Sequence, residues 1–274
     1  PAGDGPVPAV VLVHGSGPED RDETILGTKV FRDLAWGLAS RGIAVLRYDK
    51  RTLVFPGRWN DACTIEDETI ADAVSACAVL RANARIDPAR IFIVGHSLGA
   101  MVAPEIARRA GAAGAVLMAA AARRFEDVIL SQDEAAVMAD GEATEDEIDR
   151  VQAAWDTLDG VPGARATLPI GPVYVRALDA FDPVKGARDL GRRVLVLQGG
   201  RDFQVSPVLE FLRFRRGLAG DALAETRLFP SLDHLFTAGE GKSTLESYRQ
   251  PKNVDEAVVA AIATWIAGPK GPGK

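Results

Sequence analysis

The sequence of 274 residues predicts one α/β domain, built on a doubly wound, mostly parallel sheet with helices on both faces and a helical cap inserted late in the chain. Three observations predict it. Short apolar, β-branched runs recur without the alternation of a half-exposed strand, so each reads as a strand covered on both faces. Segments with helical periodicity separate these runs, which is the pattern of right-handed βαβ crossovers. From Arg123 to Leu190 the alternation lapses, and two acid-rich amphipathic helices take its place.

The first strand is the unbroken apolar run Ala9 to Val13, and the helix Val30 to Ser40 leads from it to a second strand at Ile43 to Arg47. A helix over Ile65 to Arg81 precedes the third strand, Ile91 to Val94, and Leu98 to Ala107, continuing to Arg109, reads as the helix after it. Ala115 to Met118 is the fourth strand. Past the insertion, Arg193 to Gln198 and Thr226 to Phe229 complete six strands, with a helix at Pro207 to Gly217 between them and a closing helix at Val254 to Ala267.

Inside the insertion, Glu126 to Ala139 and Thr144 to Leu158 read as helices separated by Asp140-Gly141-Glu142-Ala143, and Thr144 with Glu147 forms a capping box. Pro162, Gly163, Pro169, Gly171 and Pro172 then predict an irregular stretch, and Asp182-Pro183 leads back to the sheet through Ala187 to Leu190. The expected organisation is core over 1–122, cap over 123–190, core again over 191–268, and a disordered Gly/Pro/Lys tail at 269–274. A cap placed there would cover the exposed end of the sheet and shape what binds beneath it.

The net charge of -6 and the scattering of Lys and Arg without a basic stripe argue against nucleic acid as a partner. No apolar run reaches the roughly 18 to 20 residues of a membrane span, so a soluble protein without membrane association is expected. Pro1 in place of Met predicts that residues preceding this sequence are missing from it, and the compartment, secreted or cytoplasmic, stays open. Cys63 and Cys77 lie before and about three turns along one predicted helix, on the order of 15 to 20 Å apart, too far for a disulfide. They also lack metal-ligand spacing.

Gly95-His96-Ser97-Leu98-Gly99 places a serine between a buried strand and a helix. That context marks a strained turn which exposes a nucleophile, with the glycines allowing close backbone approach. A serine nucleophile needs a base, and the sequence has three histidines. His14 follows the first strand in His14-Gly15-Ser16-Gly17, and His96 is the neighbour of Ser97, its side chain pointing away. His234, past the last strand, is therefore the expected base. The carboxylate that orients it is expected to be Asp202, which emerges after the glycines ending the strand Arg193 to Gln198; Asp179 and Asp182 are alternatives. Adjacent Asp233 is disfavoured because neighbouring side chains diverge. The oxyanion donors should be the backbone N–H groups of Leu98 and of Ser16, with Gly17 a further possibility.

Taken together, Ser97, Asp202 and His234 in that order, with His14-Gly15 after an early strand, resemble the α/β-hydrolase-fold serine hydrolases. His14-Gly15-Ser16-Gly17-Pro18-Glu19-Asp20-Arg21-Asp22-Glu23, Arg47-Tyr48-Asp49-Lys50-Arg51 and Gln198-Gly199-Gly200-Arg201-Asp202 resemble, more narrowly, bacterial carboxylesterases related to feruloyl and cinnamoyl esterases. The resemblance implies hydrolysis of small-molecule esters with short or aromatic acyl groups and no metal or organic cofactor. A peptidase, amidase or thioesterase using the same triad is the alternative. In this fold two strands usually precede the His-Gly strand, and only eight residues precede Ala9. Tyr174, Phe203 and Gly17 are the expected substrate contacts, Tyr174 because an aromatic in an irregular segment has no helical face to fill. Trp155 and Phe181 are the other large aromatics of the cap.

Overall fold

The computed structural model describes residues 5–124, 127–128, 131–132 and 172–268. Six parallel strands form one sheet: β1 (Val7–Val13), β4 (Ala44–Leu46), β5 (Ile86–His96), β6 (Gly114–Met118), β7 (Arg193–Gly199) and β8 (Ala224–Phe229), in the order β4-β1-β5-β6-β7-β8. A separate antiparallel ribbon, β2 (Thr24–Ile25) with β3 (Thr28–Lys29), sits in the loop after β1; nothing in its sequence alternates for long enough to announce it.

The side-chain period of two divides the core. Ala9, Val11, Val13, Ile91 and Ile93 face helices α3 (Ala71–Arg81) and α4 (Leu98–Ala110), while Val10, Leu12, Phe92 and Val94 face α1 (Val30–Ala39) and the last helix (Glu256–Ala267). Both faces are thus covered, which is why the strands read as continuous apolar runs. Short helix α2 (Arg51–Val54) follows Lys50, and α3 opens on a π turn, Glu66–Ile70.

Of the helix expected over Glu126 to Ala139, only 127–128 and 131–132 are described, and these are helical. The second amphipathic helix, Trp155 and the tail 269–274 lie outside the described residues. The stretch expected to be irregular around Tyr174 is instead helix α5 (Pro172–Asp179), followed by α6 (Pro183–Asp189). The prolines begin these helices: at the first position the missing N–H leaves no bond unmade and φ is already helical. Asp182 caps α6 by accepting from the Lys185 amide at 2.8 Å. Helix α7 (Leu212–Gly217) continues a π turn, Pro207–Phe211, and α8 (Glu256–Ala267) closes the domain, its cap Asp255 accepting from the Ala257 amide. Among the described residues no helix is long and apolar enough to cross a membrane, and Cys63 and Cys77 are free thiols.

Candidate active site

Because the strands are parallel, the loops after β1, β5, β7 and β8 open at one edge of the sheet, and they carry His14, Ser97, Asp202 and His234. Ser97 caps α4 with φ 51° and ψ -117°, a conformation that costs a non-glycine residue about 1–3 kcal/mol. Its amide is held by the Met118 carbonyl at 2.9 Å. A Cβ on Gly95 would collide with the Gly99 backbone, and one on Gly99 with the carbonyls of Val13 and His14. The two glycines therefore let the turn close on itself and let α4 dock on the end of β1. The Leu98 amide, first in α4, is among those with no acceptor inside the helix.

Asp202 and His234 meet with both residues buried: His234 Nδ1 donates to Asp202 Oδ2 at 2.8 Å. Gln198 Nε2 donates to the same oxygen at 2.9 Å, and the Gln204 and Val205 amides donate to Oδ1 at 2.9 and 2.8 Å. Four donors fix the carboxylate, and its bond to Nδ1 leaves the lone pair of a neutral His234 ring on Nε2. Asp233 is spent on its own loop, accepting from the Leu235 and Thr237 amides and the Thr237 hydroxyl. Asp179 pairs with Arg124, and Asp182 is the α6 cap.

His96, whose side chain was expected to point away from that of Ser97, packs beside His234. Its Nε2 donates to the His234 carbonyl at 3.0 Å, the two rings lie 4.8 Å apart, and Nδ1 is 3.1 Å from Glu23 Oε1. Burial opposes charge on this imidazole, but the Glu23 carboxylate and the His234 carbonyl outweigh it and push its pKa up to about 9. Burial likewise opposes charge on Glu23; the His96 imidazolium nonetheless holds it below the usual carboxylate range. His14 is the neutral counterpart. Burial lowers its pKa, its Nε2 donates to the Asp20 carbonyl at 3.0 Å, and its ring packs on Phe31 and Tyr48.

The loop after His14 is clamped from two sides. Glu23 Oε1 accepts from the Gly15 amide at 2.8 Å, while the buried Lys50 ammonium donates to the carbonyls of Gly15 at 2.7 Å and Gly17 at 3.0 Å and to Glu68 Oε1 at 2.6 Å. Gly17 takes φ 101°, and a Cβ on Gly15 would stand 3.3 Å from that of Ser97, so this loop lies against the nucleophile candidate. Ser16 is exposed between the two clamped glycines.

Tyr174, expected in an irregular segment, lies instead on a helix, is 2% exposed, packs edge-on to Trp59 with centroids 5.7 Å apart, and commits its hydroxyl to Glu68 Oε2. Phe203, beside Asp202, packs on Tyr248 at 5.8 Å. Sequence reasoning missed Glu23, Lys50, Glu68 and the role of His96. Glu23 and Lys50 lie inside the strings that carried the family resemblance, which was the one signal available for them.

Among known proteins, the chain is 39% identical over 270 residues to esterase EstD of Thermotoga maritima, covering 97% of this chain but 63% of that relative's length. Among solved structures, Est1E from Butyrivibrio proteoclasticus with bound ferulic acid superposes with a TM-score of 0.61 at 13% identity, covering 96% of this chain and 89% of the other. A puromycin-hydrolysing peptidase of Mycobacterium tuberculosis superposes with a TM-score of 0.60 at 21% identity, over 99% of this chain and 35% of its own. At such identities an esterase and a peptidase share the fold alone, and the fold does not choose between their substrates. The model of the alpha/beta hydrolase family matches residues 10–240, and the chain belongs to that family.

Proposed function

We propose that the chain is a serine carboxylesterase acting on short-chain or aromatic acyl esters. The observation that carries this reading is the buried Asp202–His234 pair, on the sheet edge where Ser97 caps α4 in its strained turn. In the proposed reaction His234 Nε2 takes the Ser97 hydroxyl proton as Oγ attacks the acyl carbon. The tetrahedral oxyanion is held by the amides of Leu98 and Ser16, with Gly17 beside them. Collapse expels the alcohol, which takes its proton from His234, and leaves the acyl group on Ser97. Water, activated by the same imidazole, then hydrolyses the acyl-enzyme. No step uses a cofactor.

The ester preference is supported by the likeness to EstD, and the aromatic class by the ferulic acid bound in Est1E. The test is hydrolysis of p-nitrophenyl esters of increasing acyl length beside methyl ferulate and an aminoacyl p-nitroanilide, with a fluorophosphonate as label. Ester turnover and a mass shift on the Ser97 peptide are expected. Faster anilide than ester turnover would make the chain an amidase, and a label elsewhere would remove Ser97 as nucleophile.

A further inference from the structure

The least expected charge in the molecule is Lys50. Its side chain is 1% exposed, and its three ammonium protons have three acceptors: the Gly15 carbonyl, the Gly17 carbonyl and Glu68 Oε1. A lysine stem has many rotamers and a strongly hydrated head, so burying it is unfavourable unless every donor is used in a fixed place. Here every donor is used, and two of the three go to backbone.

The consequence lies in the peptide between Gly15 and Ser16. It is trans, and a trans peptide is planar with its C=O and N–H pointing in opposite directions. Whatever fixes the Gly15 carbonyl therefore fixes the direction of the Ser16 N–H. Lys50 draws that carbonyl to its own side, so the Ser16 N–H is turned away from Lys50. Glu23 holds the amide on the other side of Gly15, so this peptide cannot rotate without breaking a charged hydrogen bond. Gly15 itself is pressed against Ser97.

We infer that Lys50 is a positioning residue that sets the oxyanion donor at Ser16, and that Glu68 and Tyr174 form the brace behind it. Glu68 is 5% exposed and bridges the ammonium on one oxygen and the Tyr174 hydroxyl on the other. Tyr174 belongs to α5, so the brace ties the oxyanion loop to a helix within the span expected to form the cap. The ion pair needs both partners: one removed alone leaves the other as an uncompensated buried charge. The inference rests on the serine-esterase reading, and the oxyanion is the group it serves.

The test begins with wild type, where p-nitrophenyl acetate turnover and fluorophosphonate labelling of Ser97 establish the esterase reading separately. Their absence would remove that reading and this inference with it. The double variant Lys50→Met/Glu68→Gln then removes the ammonium without stranding a charge. With the Ser16 donor misplaced, kcat should fall about 100-fold or more with KM within about threefold. Affinity for an aryl trifluoromethyl ketone, whose tetrahedral adduct carries the oxyanion, should fall by the same factor. A folded variant with kcat within about threefold of wild type, or one that loses kcat but keeps the ketone affinity, would overturn the assignment.

If the double variant does not fold, Tyr174→Phe removes the hydroxyl behind Glu68 and slackens the anchor while the ion pair stays whole. Turnover and ketone affinity should then fall together by about tenfold. A fall in turnover with ketone affinity unmoved would show that the brace does not reach the oxyanion.

Discussion

Ser97 combines a strained backbone with a side chain useful only in chemistry, so its two simplest substitutions should separate the two. Ser97→Ala keeps a Cβ at φ 51° and should abolish turnover, by a factor on the order of 10⁴ to 10⁶, while the melting temperature barely moves. Ser97→Gly should be equally inactive but more stable by about 1 kcal/mol, since glycine adopts positive φ without the steric cost. Urea unfolding of both variants beside wild type reads the difference. A glycine variant less stable than the alanine one would mean that the elbow is not strained. The Glu23–His96 pair adds a pH signature. A group whose folded pKa exceeds its unfolded value stabilises fully below the unfolded value and loses that contribution as pH rises through the folded one. For His96 this window runs from 6.5 to about 9. Glu19, raised to about 7 by burial and by the Glu23 carboxylate, loses its share from 4.5 upward. Above neutrality wild-type stability should therefore decline as pH rises through the His96 step, while at mildly acid pH the Glu19 step is opposed by buried His14, whose lowered pKa makes stability rise towards 6.5. His96→Gln should remove the upper step and Glu19→Gln the lower; a His96→Gln curve parallel to wild type above neutrality would refute the pairing.

At the scale of elements, the docking of α4 on β1 is the contact that aims the Leu98 amide. Gly99→Ala places a methyl group against the Val13 and His14 carbonyls, which cannot move without shifting β1 or the helix. It should cost about 1–3 kcal/mol and lower kcat/KM by about 100-fold. Gly42→Ala is the control: its φ of 79° also penalises a side chain, but the space around it is open, so stability should fall slightly and kcat/KM should not change. If both variants lost activity alike, α4 docking would not be what places the amide. The elements themselves were largely legible, because strands buried on both faces advertise themselves by unbroken apolar runs. The first half of β5 did not: Asp87, Pro88 and Ala89 are polar, cyclic or small and lie at the exposed start of the strand. Pro172 read as a breaker although it opens a helix, since a proline favours N1 and forbids the interior with the same chemistry. The meeting of Asp202 with His234 at the sheet edge that carries Ser97 was legible from punctuation and elimination. Glu23, Lys50 and Glu68 were not, because Lys and Glu are read as surface residues and nothing in a periodic pattern marks a charge that is buried only because partners distant in sequence surround it.

At the scale of the whole molecule, the sheet is a partition with the two halves of the site resting on opposite sides of it. Leu98 and Met101 of α4, which follow the nucleophile candidate, belong to the layer containing Ile106 and Tyr174. Leu235 and Phe236, which follow the base candidate, belong to the layer containing Ile262, and the Asp255 amide at the start of α8 donates to the Phe236 carbonyl at 2.9 Å. Among the described residues, the strands and their loops align the two. Residues in separate layers with no shared partner should then behave independently. Ile106→Val and Ile262→Val each delete one buried methyl group and should each cost about 0.5–1.5 kcal/mol. The double variant should match their sum to within about 0.3–0.5 kcal/mol, measured by urea unfolding with the slope unchanged. A coupling well beyond that would mean that the layers repack through the sheet, so that a cavity on the nucleophile's side disturbs the support of the base. Additive stabilities would instead show that the sheet is stiff enough to hold residues from loops far apart in sequence in one register, as the proposed chemistry requires.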